Sequence, residues 1–189
     1  MKTFNRYQEI LLSEVKKTSF KMKAESKGSF RELLFPTTSM QSICIKMGNV
    51  LENAFNIFVK ENAENLKESE ASIRGHQLDL YFKYEDTIYY FEVKSNINLD
   101  SEKGPATIDK VNDIKSYLKD KYGENVVAKV LVSRHATAKN LTNVNRAIFN
   151  KDSVIGYAEF FKIFGVEVSK NEWEDFFKKV GVIIIETSV

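Results

Sequence analysis

Three residues in the middle of the chain have the types and spacing for phosphodiester chemistry: Asp79 and, thirteen positions later, Glu92-Val93-Lys94. Such hydrolysis needs a hard divalent cation held by oxygen ligands, typically one or two carboxylates. It is helped by an ammonium that orients the attacking water and offsets the charge developing on the phosphate oxygens. Two acids and a lysine supply both. The acid–any–Lys triplet is common here, recurring as Glu14-Val-Lys16, Glu25-Ser-Lys27 and Asp113-Ile-Lys115. Those three fall in expected helix or polar loop, where residues two apart do not share a face. Only Glu92 and Lys94 lie in a run that reads as a strand, where residues two apart project together.

The elements that must position these residues follow from hydrophobic spacing. Residues 77–84 alternate, with Leu78, Leu80 and Phe82 on one face and Gln77, Asp79 and Tyr81 on the other. Glu85-Asp86 reads as a turn, and the β-branched, aromatic run Thr87–Lys94 as the second strand of a hairpin, with Phe91 and Val93 facing the core. Before it, Phe4, Tyr7, Ile10, Leu11 and Val15 predict an amphipathic helix over 2–18. A polar, irregular stretch at 19–29 follows. Pro36 and Thr37-Thr38-Ser39 then supply a break and an N-cap for a helix over about 39–66, with Cys44 near its apolar stripe. After the hairpin we expect a loop at 96–106 holding Gly104-Pro105, a helix at 107–121 and a buried strand at 125–133. A helix at about 136–149 and a short strand near Val154-Ile155 come next. The capping box Ser169-Lys-Asn-Glu172 opens a C-terminal helix, and Gly181–Glu186 reads as a closing edge strand, with a helix as the alternative. This order predicts one α/β domain, a mixed sheet with helices on both faces.

The run Gln77-Leu-Asp-Leu-Tyr-Phe, with Tyr89-Tyr-Phe-Glu-Val-Lys-Ser95 behind it, resembles the core of the PD-(D/E)xK nuclease superfamily. That superfamily includes many type II restriction endonucleases and the archaeal-type Holliday-junction resolvases. The stretch Asn96–Lys103 resembles the loop several small restriction enzymes carry after their lysine, and the whole likeness covers about residues 40–134. It implies a restriction-endonuclease-like αββαβ core at about 40–134 within a single domain, 1–189. An N-terminal helical extension (1–35) and a C-terminal recognition and dimerisation part (135–189) would flank that core. It implies Asp79 and Glu92 as metal ligands, the Val93 carbonyl as a third, and Lys94 as the water-positioning or general-base group. Glu52, in Gly48-Asn-Val-Leu-Glu-Asn53, corresponds to a glutamate often found on the helix before the first strand; a plain surface acid is the alternative. The implied cofactor is Mg²⁺, with Mn²⁺ able to substitute. One departure stands: the usual proline before the aspartate is Leu78.

Charge distribution suggests where a polyanion would lie. The chain has 28 bases and 26 acids, yet residues 1–31 hold eight Lys/Arg against three Glu. Residues 125–151 contain no acid, and from Arg134 onward offer Lys139, Asn140, Asn143 and Arg146, groups that bond phosphates and base edges. With Asn96 and Asn98 these are the candidate DNA contacts; ordinary solvated faces are the alternative. His76 and His135 form no zinc pattern. Trp173, Phe176 and Phe177 suit core or dimer contact better than base stacking. A single cysteine, no secretory leader and no membrane-length apolar run lead us to expect a soluble, cytoplasmic protein.

Together these features predict a Mg²⁺-dependent endonuclease of double-stranded DNA, a type II restriction enzyme acting as a homodimer. A cognate DNA methyltransferase gene would then be its genomic neighbour. A structure-selective junction or repair nuclease and a non-catalytic DNA-binding module are the alternatives. For the triad itself the alternative is a cross-strand salt bridge.

Overall fold

The fold was read from a computed structural model that describes residues 2–17, 38–95, 103–138, 149 and 152–187. The central five-stranded sheet is built from β2 (Glu64–Asn65), β5 (Leu80–Tyr84), β6 (Thr87–Lys94), β7 (Val126–Val132) and β8 (Val154–Gly156), in that spatial order. β5 runs antiparallel to β2 and β6, whereas β6, β7 and β8 are parallel, so the sheet is mixed as expected. The Glu85-Asp86 turn closes the β5–β6 hairpin, with Tyr84 opposite Thr87. A small hairpin, β3 (Ser72–Ile73) and β4 (His76–Gln77), precedes β5 and turns through Arg74 and Gly75, both at positive φ.

Helices cover both faces. Leu80, Phe82, Phe91, Leu131 and Ile155 point to one side, where α1 (Phe4–Lys17), α2 (Thr38–Asn62), α4 (Tyr157–Ile163) and α5 (Lys170–Thr187) pack. Tyr81, Ile88, Tyr90, Val130 and Val132 point to the other, where α3 (Lys103–Tyr122) lays down Val111, Ile114 and Leu118. The alternation along β6 therefore sends Phe91 to the first core and Tyr90 and Glu92 to the α3 side. Each large apolar side chain so buried stabilises the fold by about 1.5–3 kcal/mol.

Several expectations need correction. The closing strand at 181–186 is absent: these residues continue α5 to Thr187. Trp173, Phe176, Val180 and Ile183 recur at helical spacing and are buried, and this packing overrides the β-propensity of Val182-Ile-Ile-Ile185. The long helix stops at Asn62, and Glu64–Asn65 leave it to pair with β5. Gly104-Pro105 lie inside the first turn of α3, where a proline removes only an N–H that has no helical acceptor. The first strand begins at Leu80, because the chain bends at Asp79; Leu78 packs with Ile73 on the α3 side, opposite Leu80. Neither α4 nor the parallel pair β1 (Lys2–Thr3) and β9 (Val166–Glu167) was foreseen.

The two end segments are built into the core. Phe4 lies 5.6 Å from Trp173 and 6.4 Å from Phe176, and Tyr7 lies 4.6 Å from Phe58, between ring centroids. The buried faces of α1 and α5 thus cover each other within one chain. The expected irregular segment 19–29 and the helix over most of 136–149 lie outside the described residues. So does the side chain of Cys44.

Candidate active site

Asp79 sits at the bend that leads into β5, while Glu92 and Lys94 sit at the end of β6. Lys94 O accepts from Ser133 N at 2.9 Å and Ser95 O from Arg134 N at 3.2 Å, so β6 and β7 end side by side. The carboxyl ends of parallel strands are where ligands enter open α/β sheets. Asp79 Oδ2 accepts the Val93 N–H at 2.8 Å, which fastens the acid to the strand that carries the other two groups. The Val93 carbonyl turns to the same edge as its N–H, since an extended residue presents both to one side.

Glu92 is nearly sealed, with its side chain 7 % exposed. Its Oε1 accepts from Lys94 Nζ at 2.6 Å, and its Oε2 from Tyr90 Oη at 2.7 Å. Lys110 Nζ, from α3, stands 2.6 Å from that same Oε2. Burial alone would raise the Glu92 carboxyl, but the Lys94 and Lys110 ammoniums outweigh it and hold the group below its usual range. Tyr90 is pushed well above the usual phenol range by burial and by Glu92, so it stays a hydrogen-bond donor. Asp79 goes the other way: burial first, then the charge of Glu92, raise its carboxyl from 3.8 to about 6 against the opposing Val93 N–H bond.

A third carboxylate approaches from α2. Glu52 Oε1 is paired with Lys67 Nζ at 2.9 Å, and that ammonium also donates to the Asp79 carbonyl at 2.9 Å. Asn56 on α2 donates to the same carbonyl at 3.0 Å. These bonds explain the bend: the Asp79 carbonyl is held by α2 and the 3₁₀ turn Leu66–Glu68 instead of by a neighbouring strand. A cleft of about 210 Å³ opens between α2 and the end of β6, lined by Gly48, Glu52, Asp79, Val93, Lys94 and Ser95 among others.

Of the expected site residues, Asp79, Val93, Lys94 and Glu52 line this cleft; Glu92 stands behind Lys94 and does not. Arg134 is exposed just beyond β7, at the end of the sheet where the cleft opens. Asn96, Asn98, Lys139, Asn140, Asn143 and Arg146 lie outside the described residues. His76 is paired with Asp113, its Nε2 3.5 Å from Oδ2. Lys110, Tyr90, Lys67 and Asn56 were missed. Lys110 had a legible signal. It falls within the stripe Thr107, Val111, Ile114, Leu118 that α3 buries, and a cation there needs a buried anion opposite.

Among the described residues, no cluster of three or more His, Cys, Asp or Glu side chains is placed to hold a metal ion by itself. Magnesium needs less, since it keeps several waters and takes one or two carboxylates plus substrate phosphate. The oxygens at hand, Asp79, the Val93 carbonyl and Glu92 once a lysine yields, suit such a hard cation. The raised Asp79 carboxyl marks a place where added positive charge would be favourable. No protein-family model matches the chain, and no curated protein matches it.

Proposed function

We propose that this protein is a Mg²⁺-dependent endonuclease of the PD-(D/E)xK kind that hydrolyses phosphodiester bonds of double-stranded DNA, as a type II restriction enzyme does. The observation that carries the reading is the convergence at one cleft of Asp79, clamped by the Val93 N–H, and of Lys94, with Glu92 directly behind it. Asp79, Glu92 and the Val93 carbonyl would hold the cation, and Glu52 would stand at its edge. When bound, the cation supplies Lewis-acid polarisation of the scissile phosphate. Lys94 then orients the attacking water and offsets charge on the phosphate oxygens. Asp79 brings to the cleft a negative charge that the cation would offset before a phosphate approaches. A homodimer would give one such centre to each strand of a symmetric site. Arg134 and the basic residues after it would hold the DNA backbone.

One observation favours a purely structural reading: both Glu92 oxygens already have ammonium partners, as in a buried ion-pair network. The test is incubation of supercoiled and linear duplex DNA with purified protein. Cleavage with Mg²⁺ or Mn²⁺, none in EDTA, and binding without cutting in Ca²⁺ are expected. Undiminished cleavage in EDTA would reject the metal mechanism, and folded protein that neither binds nor cuts DNA would favour the structural network.

A further inference from the structure

We propose that Lys110, outside the acid–acid–lysine pattern, is a positioning residue of this centre: it anchors Glu92 from behind so that Lys94 is free to turn to the substrate. The inference rests on the nuclease reading and deepens it.

Glu92 has one ammonium for each oxygen, Lys94 at Oε1 and Lys110 at Oε2, both at 2.6 Å. The two lysines are not equivalent. Lys94 lines the cleft and its side chain is 29 % exposed, whereas Lys110 does not line it and is 18 % exposed. Lys110 is also fixed by its helix, since its neighbours in the stripe, Thr107, Val111 and Ile114, are buried against the sheet. A buried carboxylate stripped of every cation is strongly disfavoured. With Lys94 as its sole counter-ion, Glu92 would therefore hold that lysine back. With Lys110 and the Tyr90 hydroxyl on Oε2, Glu92 remains charge-paired and hydrogen-bonded when Lys94 departs. Oε1, the oxygen Lys94 vacates, is then free to serve a cation.

Two opposite effects follow from removing the Lys110 charge, and together they form a signature. An ammonium beside a cation site opposes the cation, so Lys110→Met should bind Mn²⁺ roughly three- to thirtyfold more tightly. Cleavage by the same protein should fall about tenfold or more even at saturating metal, because Glu92, left without its anchor at Oε2, no longer holds the cation in register with Lys94. Lys110→Arg, which keeps the charge, should return both quantities most of the way to wild type.

The experiment is Mn²⁺ titration followed by electron paramagnetic resonance, without DNA, alongside single-turnover cleavage of a duplex at saturating Mn²⁺. Wild type, Lys110→Met and Lys110→Arg are compared. Lys110→Gln, neutral but still a hydrogen-bond donor, replaces the methionine variant if that does not fold. Tighter Mn²⁺ binding with slower cleavage, reversed by arginine, supports the proposal. A folded, neutral variant with wild-type Mn²⁺ affinity and wild-type cleavage overturns it, because a merely structural lysine would move only the melting temperature. If the wild-type protein binds Mn²⁺ but cuts no DNA, the nuclease reading fails separately. The Mn²⁺ shift then still decides whether Lys110 belongs to the centre.

Discussion

Asp79 stands between two demands: burial and the carboxylates of Glu92 and Glu52 resist its charge, while the Val93 N–H welcomes it. Because its folded value is raised from 3.8 to about 6, its contribution to stability is fully present below about pH 4 and is lost as pH rises through 6. Asp79→Asn can keep the bond from Val93 without the charge. That variant should exceed wild type in stability at pH 7.5 by about 1–3 kcal/mol, and the gap should shrink toward pH 4. Urea unfolding at both pH values checks this; an equal gap at the two would remove the buried charge as its cause. The three principal candidate residues were legible because two-residue periodicity put Glu92 and Lys94 on one face and set an acid shortly before them, although that acid stands at the bend leading into β5 and not on the strand itself. The partners of Glu92 were not, except that a lysine in the buried stripe of α3 asks for an anion. Lys67 and Asn56 gave no sign, since they act on the Asp79 backbone through a bend that local alternation does not reveal.

β6 and β7 were readable from their β-branched and apolar runs at close to the expected length, and α2 from its helical period, although it ends at Asn62, short of the expected 66. Failures came where tertiary packing overruled local preference. The run Val182–Ile185 favours a strand by composition, but the aromatic stripe that begins at Trp173 carries the helix through it. α4 was hidden because its start depends on a distant segment. The backbone N–H groups of Tyr157 and Ala158 donate to the carbonyls of His135 and Ala136, at 2.9 and 3.1 Å. Gly156 allows that approach: a Cβ there would lie 2.4 Å from Ala136 and His135 backbone atoms. Gly156→Ala should therefore cost about 1–3 kcal/mol through forced backbone displacement. A denaturation midpoint unchanged from wild type would show that the contact relaxes freely. The displaced strand end is the one that carries Ser133 and Arg134, so the same variant should also disturb the cleft side of the sheet.

At the scale of the molecule, helices on both faces bury the sheet, and the cleft is left where the parallel strands end. Expectation and structure agree on the α/β architecture with its mixed sheet. They part on the terminal segments, which were expected to flank the core. α1 and α5 instead complete it, with Phe4 against Trp173 and Phe176. No periodicity argument could have paired them, because the contact joins residues from opposite ends of the chain. Among the described residues no helix is long and apolar enough to cross a membrane. The same buried charges at the cleft serve two accounts, a catalytic centre or a static ion-pair network, and Lys94 separates them. The most direct test is single-turnover cleavage of a linear duplex in Mg²⁺ by wild type and Lys94→Ala, with folding verified by melting and DNA occupancy matched. The catalytic account predicts a rate lower by roughly 10²–10³, the loss typical of removing one electrostatic contributor to a transition state. Folded, DNA-bound Lys94→Ala cutting at the wild-type rate would contradict it.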